Sequence, residues 1–442
     1  MRRQFAQVWV GVVIVTLFLN SFATGWVTAQ ANAPLKEITD QDAKFLTDWV
    51  DLVYSNVKAD SIDAPSAARI YSYLGVTLYE SVVGGLPGYR PVGELLKDFP
   101  MPPTLSVEVD WQTVTAATTA RVSDYLLPSE KSKASTAKLL AAQLSARKKA
   151  VTESFIEPSI KYGELLADGI IAYAKRDGGD EARVKPYTLP SGEPYLYVST
   201  SPGAKAVGAY WGTLNAWGLT DNTECNEPIT YTFSSEKGST FYKYAEEVMN
   251  IGSKLTQDQK DTVNFWIDTP GETGAPAGHW VSIANQLVSQ FDLKVGKAAE
   301  TLAMVGMALG DSFISCWNLK FETNLLRPET YINRYIRRGW RSFVITPPFP
   351  SYNSGHATSS AAAAEVLTEL FGSVFFTDST HLKRNPEIKL APRTYSSFYQ
   401  AADEAALSRL YGGIHYRFDN ESGLRQGRCV GRKLIERVKL KK

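Results

Sequence analysis

Apolar residues in this chain recur at three- and four-residue intervals far more often than at two, which predicts helices and few strands. Phe45, Trp49, Leu52 and Val53 fall at i, i+4, i+7 and i+8 behind the polar starter Thr39-Asp40. Pro65, behind Ser61 and Asp63, opens a second helix through Ile70, Leu74 and Leu78. Further helical stretches are expected over about 111–127, 135–150, 155–176 and 239–265. A helix from about 280 to 319 is rich in small residues (Ala298, Ala299, Ala303, Gly306, Ala308, Gly310), which lets neighbours approach closely. Another starts at Ser354 and runs through Ala361 to Leu370. The last covers Glu421 to Val438, with Leu424, Val430, Leu434, Ile435 and Val438 mostly on one face. Residues 177–235 are rich in Gly, Pro, Ser, Thr and Asn but include Tyr187, Tyr195, Tyr197 and Trp211, which predicts a long ordered loop. The expectation is an all-α protein of two stacked helical bundles.

The amino terminus departs from this pattern. Arg2 and Arg3 precede an apolar run from Val8 to Leu19, and Ala29-Gln30-Ala31 supplies small residues at signal-peptidase spacing. Residues 1–31 therefore read as a signal peptide, with an exported mature chain starting at Asn32. The run is shorter than the roughly 20 residues a membrane span needs, and no later segment is expected to cross a bilayer. The remaining chain divides into an N-terminal helical region with its long loop, 32–235, and a C-terminal bundle, 236–442. A net charge of +1 argues against nucleic acid or an anionic membrane surface as partner. Cys225, Cys316 and Cys429 permit at most one disulfide, with buried free thiols equally compatible, and they lack zinc-site spacing. Oligomeric state, monomer or small homo-oligomer, stays open.

Three segments carry chemistry: Lys320 to Pro328, Pro347 to His356, and Ser408 to Asp419. A tetrahedral oxyanion needs several converging cations, and arginine is favoured for its flat, multi-donor fork. Lys320, Arg327 and Arg409 meet that need. Pro328 disfavours helical geometry at Arg327, so the helix is expected to end there. Ser354-Gly355-His356 opens an Ala-rich helix, where Ser354 can cap and the Gly355 N–H can approach an anion unobstructed. Arg409 and His415 are six residues apart and would diverge by about 120° on one continuous helix. Gly412-Gly413 breaks that helix and lets both turn to one point. Asp419, just before the last helix, is compatible with a capping role or with orienting His415.

These stretches resemble the signature of the type 2 phosphatidic acid phosphatase and vanadium haloperoxidase superfamily: K-x6-RP, PSGH, and SR-x3-G-x-H-x3-D. The resemblance spans residues 320–419 and departs once, where Asn353 replaces the pattern's Pro. In a phosphatase of this kind His415 would attack phosphorus and His356 would protonate the leaving oxygen. In a haloperoxidase, vanadate takes the phosphate's place. The resemblance then implies that His415 bonds vanadium, while Lys320, Arg327, Ser354, Gly355 and Arg409 hold its oxygens. His356 would handle a proton as hydrogen peroxide binds.

The haloperoxidase reading is favoured over an exported soluble acid phosphatase using the same two histidines. The chain lacks the several spans of the lipid phosphatases and is longer than the small soluble acid phosphatases. Trp317 and Phe349 resemble the aromatic halide-pocket lining of chloroperoxidase-like members. Phe265-Trp266 through Asp268, followed by Gly278-His279-Trp280, resembles a segment of bacterial members, and Asp268 is expected to pair with a cation, Arg409 first. A third possibility, a protein that only captures phosphate, fits poorly with retention of both histidines. His279 has a cleft-lining and a structural reading, the structural one preferred, and His381 is given no role. Expected reactants are hydrogen peroxide, a halide (iodide or bromide ahead of chloride) and a small organic acceptor.

Overall fold

A computed structural model describes residues 37–442 apart from 106 and 202, so the expected signal peptide lies outside the described residues. The first half contributes α1 (Lys44–Ala59), α2 (Ala64–Val83), α3 (Trp111–Leu126), α4 (Glu130–Ala150), α5 (Ile156–Ala174) and the short α6 (Gly179–Val184). The second contributes α7 (Thr240–Gly252), α8 (Gln257–Phe265), α9 (Ala275–Gln290), α10 (Val295–Thr323), α11 (Pro328–Tyr335) and α12 (Gly355–Phe371). It continues through α13 (Thr380–Arg384), α14 (Phe398–Tyr411) and α15 (Arg417–Arg437). Strands β1 (Phe376–Asp378) and β2 (Arg393–Tyr395) form a short antiparallel pair, the one sheet among the described residues. The all-helical expectation holds.

Two close helix crossings set the architecture. Helix α2 starts at Asp63, whose carboxylate accepts from the Ser66 N–H at 2.9 Å, with Pro65 in its first turn. It is buried almost all round and packs along α10. A Cβ on Gly75 would lie 2.3 Å from the Leu302 carbonyl oxygen, and one on Gly306 would lie 2.7 Å from that of Tyr71. Gly306, one of the small residues expected to permit close approach, does so, and Gly75 plays the same part on α2. One hydrophobic core runs from α1 and α2 through α10 to α12 and α15. The second crossing is α12 on α15, where Gly423, Gly427 and Gly431 face Ala357, Thr358, Ala361 and Ala362. A Cβ on Gly427 would stand 2.1 Å from the Thr358 carbonyl oxygen. This contact fixes the start of α12 against the start of α15, which matters for the site.

Several boundaries differ from the sequence reading. The helix expected over about 280–319 is two helices, α9 and α10, separated at Phe291–Lys294, where Asp292 takes φ 47° and stops the first. The stretch 239–265 is likewise split into α7 and α8, with a Thr256–Gln259 capping box opening the second. Helix α15 starts at Arg417 rather than Glu421, so Asp419 lies inside its first turn. Contrary to expectation, α10 is long and apolar enough to cross a membrane, but 94% of its most apolar window is buried inside the protein. Cys225 and Cys429 form a disulfide, and Cys316 is free and buried.

Candidate active site

Lys320 sits in the last turn of α10 and is fully buried. Its Nζ donates to the carbonyls of Pro350 and Ser351, each at 2.9 Å. An ammonium has three N–H donors, so one is left over. Burial pushes its pKa down from the ordinary lysine range. Arg327 was expected to end a helix, but α10 ends at Asn324 in a left-handed turn, and Arg327 is the extended residue preceding Pro328 of α11. Its Nε donates to Phe349 O at 2.9 Å and Nη1 to Ile414 O at 2.8 Å. Nη2 is buried without a partner. Arg409, in the last turn of α14, donates through Nε to Ser408 Oγ at 3.0 Å and makes longer contacts to His356 and Val263 O, both at 3.4 Å. Burial lowers both guanidinium pKa values to about 10, so both stay charged at neutral pH.

His415 follows the expected Gly412-Gly413 break, where Gly413 takes φ 77°, a conformation open to glycine. Its Nδ1 lies 2.8 Å from Asp419 Oδ2 and its Nε2 lies 2.9 Å from Arg327 Nη1. Arginine can only donate, so Nε2 is the acceptor and Nδ1 carries the proton given to Asp419. Burial first, then Arg327, Lys320 and Arg409, hold the ring's pKa well below the usual range. The ring is therefore neutral. Asp419 also accepts from Ser351 Oγ at 2.5 Å, and burial raises its pKa. Its orienting role coexists with a capping one, since the same Oδ2 also accepts from the Tyr416 N–H at 3.3 Å at the start of α15.

Ser354 precedes α12 and accepts from the Ala357 N–H at 3.4 Å, while its own N–H donates to Asp419 O at 3.1 Å. The start of α12 is thereby tied to α15, and first-turn N–H groups at Gly355 and His356 have no intrahelical acceptor. A Cβ on Gly355 would come within 3.1 Å of the Trp317 ring, so the bare backbone is needed. Trp317 and Phe349 pack together with ring centroids 5.0 Å apart, and Lys320 Nζ lies 5.2 Å from the Phe349 centroid. The long loop 177–235 reaches this side: Val207 accepts from Trp317 Nε1 at 3.1 Å and donates to Pro348 O at 3.0 Å. Asn353 forms a buried link, accepting from Cys316 Sγ at 3.1 Å and donating to Gln426 Oε1 at 2.6 Å.

His356 is the other candidate catalytic residue. Its Nε2 stands 3.4 Å from Arg409 Nη1 and 3.7 Å from Asp268 Oδ2. Burial and then Arg409 depress its pKa to about 4, against the pull of Asp268. Asp268 does not make its hydrogen bond to Arg409 as expected. Its Oδ1 accepts from His279 Nδ1 at 2.9 Å, because Asp268 sits in a left-handed turn (φ 50°) that points it at α9. His279 then donates from Nε2 to Asp378 Oδ2 at 2.8 Å. No sequence signal placed Asp378 here. His381, given no role, donates to the Phe265 carbonyl at 2.7 Å and braces the segment leading to Asp268.

The donor set fits a tetrahedral oxyanion. Unpaired N–H groups on Lys320 and Arg327, the weakly engaged Arg409 fork and the α12 amino terminus accompany a neutral imidazole whose Nε2 lone pair is held by Arg327 Nη1. An unpaired buried guanidinium N–H is costly, of order 1–3 kcal/mol, unless an anion satisfies it.

Residues 300–441 match the VCPO second helical-bundle domain. The chain is similar in structure to a bacterial vanadium-dependent iodoperoxidase, with a TM-score of 0.84 and 29% sequence identity over 92% of this chain and 99% of that one. It also shares the fold of a bacterial vanadium-dependent chloroperoxidase: the holo-type structure has a TM-score of 0.66 and 15% identity over 90% of this chain and 97% of that one. The apo-type structure gives 0.65 and 14%, over 85% and 94%. No curated protein sequence matches the chain. The fold is all-helical and similar to that of vanadium-dependent haloperoxidases. In its second bundle and its overall structure, the chain is similar to vanadium haloperoxidases.

Proposed function

We propose that the protein is a vanadium-dependent haloperoxidase that oxidises a halide, iodide first, with hydrogen peroxide to a hypohalous species that reacts with a small organic acceptor. The carrying observation is the neutral His415, whose unprotonated Nε2 accepts from Arg327 Nη1 at 2.9 Å and carries the lone pair an electrophilic centre would take, beside Lys320, Arg327 and Arg409. Likeness to an iodoperoxidase over nearly the whole chain supports the choice of iodide.

Bound vanadate would supply a pentavalent Lewis acid that polarises peroxide toward attack by halide. The chain's own residues do the rest. Asp419 fixes the His415 tautomer so that Nε2 presents its lone pair. Lys320, Arg327, Arg409, Ser354 and the Gly355 N–H would hold the vanadate oxygens and neutralise their charge. His356, between Arg409 and Asp268, holds or releases a proton at Nε2. Halide, peroxide and one proton give hypohalous acid and water. Trp317 and Phe349 offer the apolar wall for a weakly hydrated halide.

Export through residues 1–31 is part of the proposal, supported by the Cys225–Cys429 disulfide, a bond that persists in oxidising compartments. The test is purified mature protein incubated with vanadate and assayed for peroxide-dependent oxidation of iodide and bromide. Hydrolysis of p-nitrophenyl phosphate by vanadate-free protein is followed alongside. Halide oxidation is expected; hydrolysis without it would make the protein an acid phosphatase.

A further inference from the structure

Behind His356 lies a cluster that the mechanism above uses only at its edge. Asp268 comes from the α8–α9 connection, His279 from α9 and Asp378 from the end of β1, and their side chains are 2%, 0% and 0% exposed. Both ring nitrogens of His279 face carboxylates, at 2.9 and 2.8 Å. A carboxylate accepts, so both nitrogens must donate, and the ring is an imidazolium. Phe265, Trp266 and His381 pack round it, with Trp266 stacked at 4.3 Å and an interplanar angle of 20°. The neighbouring His381 is held neutral by burial and by the His279 charge.

Asp378 is fixed from its other side. Its Oδ1 accepts from the Thr380 N–H at 2.8 Å and Gln286 Nε2 at 3.3 Å. Asp268 has no such support. One oxygen is held by His279, and the other has no hydrogen-bond partner but lies 3.7 Å from His356 Nε2. A buried carboxylate oxygen left open toward a proton-handling histidine needs a nearby cation to stay ionised, and His279 is that cation.

We propose that His279 and Asp378 are positioning residues for the anion site: they clamp Asp268 so that its free oxygen stays charged and turned toward His356. Asp378 holds the imidazolium, the imidazolium holds Asp268, and Asp268 sets the orientation in which His356 receives a proton. The groups facing His356 are then Asp268 on one side and Arg409 on the other, with His279 contributing at longer range. The proposal rests on the anion-site reading and holds for either halide oxidation or phosphoester hydrolysis.

The chain has four histidines, so ring-nitrogen NMR of the 15N-histidine-labelled protein can be read site by site, with inorganic phosphate as the bound anion. In the unmodified protein, one ring should stay doubly protonated at pH 8 and disappear from that state in His279→Gln. A neutral His279 at pH 8 would overturn the proposal without any variant having to fold. In Asp378→Asn, which touches neither anion nor His356, the His356 signals should move. Its kcat should fall about tenfold, phosphate affinity should stay within about threefold, and the activity limb set by His356 should shift to lower pH, because a negative charge is lost behind it. A proportional loss of kcat and phosphate-binding stoichiometry, with His356 signals and pH profile unmoved, would make the cluster merely structural and sink the idea. If halide oxidation itself is absent, the NMR and phosphate arms still decide the point.

Discussion

His415 and His279 are both shut away from solvent, their side chains 4% and 0% exposed, yet they sit in opposite charge states. Burial lowers the proton affinity of each. At His415 the second nitrogen meets Arg327, and the surrounding cations push in the same direction as burial. At His279 the second nitrogen meets another carboxylate, and Asp268 with Asp378 overcome burial and raise the pKa to about 10. The partner on the second nitrogen decides the outcome. The neutral ring keeps a lone pair for an electrophile. The charged ring has none and can only clamp. A fold that places these two rings around His356 separates bonding from positioning.

The harshest way to break this comparison is His415→Ala. It removes the neutral imidazole beside Arg327 while leaving Lys320, Arg327 and Arg409 in place. Turnover should fall by roughly 10³-fold or more, as for loss of a group that acts in the bond-making step. Phosphate should still bind through the cations, measurably weakened. Retention of wild-type turnover would show that His415 does not bond the reacting centre.

A milder change is Asp419→Asn. An asparagine can still accept from His415 Nδ1 through Oδ1, but it brings no charge and can also present donors, so the tautomer is no longer fixed. Loss of such an orienting carboxylate typically costs 10–100-fold in affinity or activity. Vanadate affinity, measured by titration of turnover, should fall in that range while the fold is kept. If Asp419→Asn and His415→Ala gave equal losses, Asp419 would have to contribute more than orientation.

Part of this was legible in the sequence, and part was not, for physical reasons. The cradle residues lie in three short segments whose internal spacing fixes their directions: Pro328 sets Arg327 extended, Ser354 caps α12, and Gly412-Gly413 turns His415 back. Such local rules need no tertiary information. The partner of Asp268 did. The resemblance to bacterial members suggested Arg409, but the left-handed turn at Asp268 aims it at His279, and Asp378 arrives from a strand 99 residues further along than His279. Cys225 and Cys429 pair across 204 residues, a closure that no spacing rule predicts. The break at Asp292 was hidden because Phe291 and Leu293 continue an apolar pattern while a left-handed backbone ends the helix between them. The early start of α15 was missed because no Ser or Thr opens it; Asp419 instead reaches back to accept from the Tyr416 N–H at 3.3 Å.

The smallest effect sharpens the comparison with a buried group that has no counter-ion. Glu80, on α2 and 1% exposed, accepts from the Val92 N–H through Oε1, while its Oε2 has no partner. Burial raises its pKa to about 8. The folded-state pKa thus lies above the unfolded one, so the protonated form favours folding. That contribution is complete below about pH 4.5 and drains away as pH rises through 8. At about 1.4 kcal/mol per unit, the loss amounts to a few kcal/mol by pH 8. Glu80→Gln keeps an acceptor for Val92 and cannot ionise, at the constant cost of an amide N–H without an assigned acceptor. The variant should therefore be no more stable than the parent at pH 5 and more stable at pH 9, with site chemistry unchanged. Denaturant midpoints at the two pH values measure the crossover. Parallel pH dependence in parent and variant would mean that Glu80 finds a cation or water the structure does not give it, and burial alone would no longer explain its behaviour.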